Sequence, residues 1–226
     1  MRRRLPLSRT TEAQRHRGRV VKTLWLCVSV VCFVWLSLAL SAQQLLDRVV
    51  ARVNGQPITL SDVIAAVALG LVPAPSTPNV VPAVTAQLVD RQLMLAEVAR
   101  FAPPEPDAAA IGREVEALKS RAGARLAAVM DEAGLDEQRI HDLARDTLRI
   151  QGYLNQRFGA TVQVTDDEVE RYYREHPAEF TRAGVLIPFE EAAPTARQRA
   201  AAQRRDALIG QWLRDLRARA DVTTRP

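Results

Sequence analysis

Cysteine is almost missing from this 226-residue chain: Cys27 and Cys32 are its only thiols, and both sit in an apolar run near the N-terminus. Beyond that run, disulfides, thiolate nucleophiles and Cys-ligated metals are excluded, and the fold must rest on an apolar core. Histidine is scarce as well. His141 and His176 are the only imidazoles past residue 42, too few for a histidine-rich metal site. Ser61, Ser76 and Ser120 stand in no G-x-S-x-G elbow. The glycines are scattered at turns and helix ends instead of gathered in a phosphate loop. Glu137 and His141, four apart on one helix face, read as a surface carboxylate-histidine pair. There is no internal repeat. No catalytic residue, cofactor or metal is therefore expected.

What is present begins with charge of one sign. Eight basic residues between Arg2 and Lys22 precede an uncharged apolar stretch from Thr23 to Ala42, the layout of a secretory signal. Ala39-Leu40-Ser41 offers a cleavage site before Ala42. The apolar run is also about as long as the ~20 residues of a spanning helix, so an uncleaved inner-membrane anchor is the alternative. Residues 1–42 hold eight of the 31 lysines and arginines but one acid, Glu12. The 184 residues that follow carry 23 basic and 25 acidic side chains. The high isoelectric point thus belongs to the leader, and nucleic acid is not an expected partner. Export to the periplasm is the expected location, with membrane contact only through an uncleaved leader.

After the leader, Val49, Val50 and Val53 run into Asn54-Gly55, the pair best able to make a tight type I′ hairpin. Pro57 confines the return strand to a sheet edge, and Val222 to Thr224 suit a short third strand that would close the chain on itself. The rest reads as helix. Thr59 and Asp62 form a start signal for a short helix ending near Gly70. A proline-rich loop follows, and the spacing then predicts helices over 83–101, 107–121 and 124–133. Asp136 caps the clearest amphipathic helix, with Ile140, Leu143, Thr147, Ile150, Leu154 and Phe158 on one side. Thr165 to Glu168 is a capping box for the next helix, and a last helix spans about 195–220 with an arginine-rich face expected to be solvated. Arg91 falls within an apolar stripe, where a charge needs a partner; Asp62 is the candidate. The expected fold is mainly α, a helical module with a small N-terminal hairpin and a short C-terminal strand.

Three segments resemble the SurA-type periplasmic chaperones and their parvulin-linked relatives. Leu46 to Val63, reading LDRVVARVNGQPITLSDV, looks like that family's opening hairpin and helix. Leu88 to Leu95, LVDRQLML, is similar to its next helix, and Val164 to Phe180 to the helix that leads toward a prolyl isomerase domain. The resemblance implies a chaperone module at 43–180, with the helix and strand of 195–226 packing back on it. Residues 181–194, where relatives insert a parvulin domain, are far too few to hold one, so isomerase activity is not expected.

The function these features imply is that of a holdase binding unfolded polypeptides, outer-membrane proteins among them, without catalysis. Apolar residues outside an obvious core stripe are the candidate client contacts: Leu71, Val72, Val80 and Val81 in the proline-rich loop, and Met130 as an adaptable one. The alternatives are an envelope adaptor docking a folded partner through the last helix, and a prolyl isomerase.

Overall fold

A computed structural model describes residues 47–159 and 162–224; the basic leader, the apolar run and its cleavage position lie outside them. The fold is mainly α with a small antiparallel sheet. Strand β1 (Val49–Val53) turns through Asn54 and Gly55, both at positive φ (50° and 83°), into β2 (Gln56–Thr59). The last strand, β5 (Val222–Thr224), pairs on the other side of β1, giving the order β2-β1-β5. The expected closure of the chain on itself is therefore present. Asn54 serves both ends: its N–H donates to Asp221 O at 2.8 Å, and its side-chain oxygen accepts from Asp221 N at 3.1 Å.

The helices start where local chemistry lets them. Helix α1 (Leu60–Ala68) opens on a reciprocal capping box, Thr59 Oγ1 accepting from Asp62 N and Asp62 Oδ2 accepting from Thr59 N. Helix α2 (Val80–Phe101) begins three residues before the expected Ala83, with Pro82 inside its first turn. Proline is tolerated there because the N–H groups of a first turn have no intrahelical partner. Val80 and Val81 are consequently helical. Then come α3 (Ala108–Ala122), a 3-10 turn, α4 (Leu126–Ala133) and α5 (Glu137–Phe158), the last capped by Asp136.

Helix α6 (Asp166–Glu175) leads into a second, unexpected hairpin, β3 (Thr181–Arg182) and β4 (Val185–Leu186). Its turn places Ala183 at φ 48° and Gly184 at φ 83°. Helix α7 (Phe189–Arg219) starts well before the expected Thr195 and carries Pro194 within it. The stretch 181–194 is thus a hairpin and the first turns of a helix, a correction to its reading as a linker.

Three apolar clusters hold these elements. The first joins the sheet to α1, α2, the end of α5 and the C-terminal half of α7 through residues such as Val53, Val84, Tyr153 and Trp212. The second packs Leu69 against α3 and α5 through Leu118 and Ile140. In the third, Ala192, Ala196 and Ala200 lie at helical spacing along α7 and bring it close to Val169, Tyr172 and Phe180. The arginine face expected on α7 is exposed, and several of its arginines are also paired. Arg197 pairs with Asp166, Arg204 with Glu168, Arg199 with Glu179 at 3.6 Å and Arg217 with Asp90 at 2.6 Å. Each pair is largely exposed and individually weak, but together they orient α7 on α6 and α2.

Glu168 gives the fold a pH dependence. The backbone N–H of Thr165 holds its carboxyl below the ordinary 4.5, and Arg204 adds to this. A carboxyl titrating lower in the folded state than in the unfolded one contributes fully above the ordinary value, and its contribution is lost as the pH falls through the folded value. Stability measured in urea should therefore fall less steeply on acidification in Glu168→Gln than in the parent protein; identical profiles would contradict this role.

Candidate functional site

A cleft of about 320 Å³ opens between β2, α1, α2 and α5. Leu71, Leu88, Leu95, Leu135 and Leu143 line it beside six polar or charged side chains, all six placed by secondary structure. Arg91 comes from α2, Asp62 from the first turn of α1, and Arg139 and Asp146 from α5. Gln56 and Gln92 complete the polar lining.

Arg91 is 9% exposed. Its Nη2 donates to Leu143 O and to Thr147 Oγ1, both at 3.1 Å, and Thr147 Oγ1 in turn donates to Leu143 O at 2.8 Å. Burial draws the guanidinium pKa down, Asp146 opposes that, and Arg139 adds to it. Asp146 is the mirror case. Burial raises its pKa, while Arg91 and the neighbouring arginines of α5 pull it back. Asp62 is not the partner of Arg91. Its Oδ2 is taken by Thr59 in the capping box, and its Oδ1 faces Arg139 at 3.5 Å. The need for a partner was legible in Arg91; the partner itself is a backbone carbonyl and a hydroxyl on α5.

Of the five residues expected to contact a client, the cleft gathers only Leu71, which is half-buried and packs against the first and second clusters. Val72 is half-buried on the first cluster and Met130 on the second, so both are engaged in packing. Val80 and Val81 are each 40% exposed in the first turn of α2. Other apolar side chains are more open, Phe101 at the end of α2 and Val185 and Leu186 on the second hairpin among them. Leu88, Leu95 and Leu143 were missed because each lies in an ordinary core stripe of its helix. One signal was available: Arg91 and Thr147 are both polar intrusions into apolar stripes, on helices that prove to face each other.

The pair expected between Glu137 and His141 does not form. Glu137 binds Lys119 Nζ at 2.6 Å, and His141 Nδ1 lies 3.9 Å from Asp142. His176 stacks on Tyr172 with ring centroids 4.0 Å apart, its Nδ1 2.9 Å from Tyr172 O. Among the described residues, no group of three His, Cys, Asp or Glu side chains is placed to hold a metal ion, and no helix is long and apolar enough to cross a membrane. No protein-family model matches the chain, and no curated protein compared with it is significantly similar.

Proposed function

We propose that this chain is an exported, non-catalytic chaperone that holds unfolded polypeptides, including outer-membrane proteins, in the periplasm. The observation that carries the reading is the cleft, an open groove in which five leucine side chains lie beside fixed polar and charged groups. Such a surface offers an unfolded segment a place to bury apolar side chains without requiring a reacting group. The basic leader followed by an apolar run supports export, and the likeness of the hairpin and first helices to SurA-type modules points the same way. The arginines of α7 that bridge to α6 and α2 weigh against the adaptor reading, since those bridges occupy part of the face such an adaptor would present.

The test is dilution of a urea-denatured outer-membrane β-barrel protein into buffer with residues 43–226, followed by light scattering. Aggregation is expected to be suppressed near equimolar ratio. Leu95→Gln, which makes one cleft wall polar, should weaken suppression while circular dichroism remains that of the parent. Undiminished aggregation with the parent protein would defeat the proposal.

A further inference from the structure

Arg91 has more hydrogen-bonding capacity than the fold uses. Nη2 is committed to Leu143 O and Thr147 Oγ1, whereas Nε and Nη1 make no hydrogen bond among the described residues and are not sealed from the cleft. Among the described residues no carboxylate lies within ion-pairing distance of this guanidinium, although Asp146 is near enough for their charges to interact. Asp146 also has oxygens to spare. Its one ion pair, to Arg149 Nη1, is long at 3.9 Å. A donor and an acceptor thus line the same cleft, each short of partners.

The charge balance narrows what they suit. Asp62 and Arg139 answer each other across the cleft, and Arg91 and Asp146 balance in the same way. An anion on Arg91 would meet Asp146, and a cation on Asp146 would meet Arg91. A neutral group with an acceptor on one side and a donor on the other meets neither objection. The peptide group has that form. The strand bordering the cleft cannot supply the complementary bonds in full, because Pro57 of β2 has no N–H to offer to an added strand.

We propose that the cleft binds a main-chain peptide group of an extended apolar segment, Arg91 donating to its carbonyl and Asp146 accepting from its N–H. The leucine walls take the side chains beside it. Recognition through a group common to all polypeptides explains how one fixed cleft serves clients of unrelated sequence. This inference rests on the polypeptide-binding reading above.

The test uses residues 43–226 and two short fluorescein-labelled peptides of alternating leucine and alanine, one with N-methylated leucine amides, read by fluorescence anisotropy. N-methylation should weaken binding to the parent protein by about tenfold, the cost of one hydrogen bond to a charged group. In Asp146→Ala, which leaves both hydrogen bonds of Arg91 in place, that difference should largely disappear. Equal binding of the two peptides to the parent, or equal weakening of both by Asp146→Ala, overturns the peptide-group assignment and leaves the polypeptide-binding reading standing. Failure of the unmethylated peptide to bind the parent protein overturns both.

Discussion

Replacing Trp212 with alanine is expected to lower stability by about 3–5 kcal/mol, the usual cost of removing a large buried aromatic side chain. The indole is 7% exposed and lies where the C-terminal half of α7 meets the first cluster. Its ring centroid is 5.8 Å from that of Tyr153 and 5.6 Å from that of Phe158, and the Arg157 guanidinium sits 5.4 Å from the ring. Alanine would remove all three contacts and leave a cavity that helices already fixed by their other neighbours can only partly close. Urea unfolding followed by circular dichroism measures the loss directly; a change below about 1 kcal/mol would mean that α7 is held by other groups. The same residue offers an independent probe. Trp25 and Trp35 both lie in the leader, so tryptophan fluorescence from residues 43–226, excited at the red edge where tyrosine does not absorb, comes from Trp212 alone.

Phe180→Ala should be as costly where it acts, about 3–5 kcal/mol, but its effect is expected to stay local. Phe180 is 2% exposed in the third cluster, edge-on to Tyr172 and 5.2 Å from Tyr173 by ring centroids. That cluster shares no buried residue with the first. Its members come from α6, the turn leading to the second hairpin and the N-terminal half of α7. Loss of the ring should let α6 open as a unit while β1, α2 and α5 remain folded. Amide exchange resolved by segment separates the outcomes: rapid exchange confined to 166–180 is expected, and an equal loss of protection throughout would refute the separation.

Local signals in the sequence carried far in this chain. A hydroxyl at the cap and a carboxylate three residues later announced α1 at Thr59 and α6 at Thr165, because both partners of a capping box lie within one turn. Asn54-Gly55 announced the hairpin for the same reason. Proline misled in two places. Pro82 and Pro194 look like stops, yet one falls in a first turn and the other is carried by a helix held at Ala192, Ala196 and Ala200. The second hairpin turns on Ala183 in a left-handed conformation, which has no signature in an alanine. The cleft required strand, loop and helices to converge from positions 56 to 146, and the acceptor for Arg91 is a main-chain oxygen that every residue possesses. Contacts of that kind are settled by packing at long range, beyond the reach of spacing rules.

The pairing of Val222–Thr224 with β1 has a temporal consequence. A ribosome makes Val49–Val53 early and the strand's second neighbour some 170 residues later. Throughout that interval β1 has β2 on one flank and unsatisfied main-chain groups on the other, a bare template for any extended chain in reach. The nascent protein is thereby exposed to the same kind of pairing hazard from which it is proposed to shield others, until its last few residues zip the sheet shut.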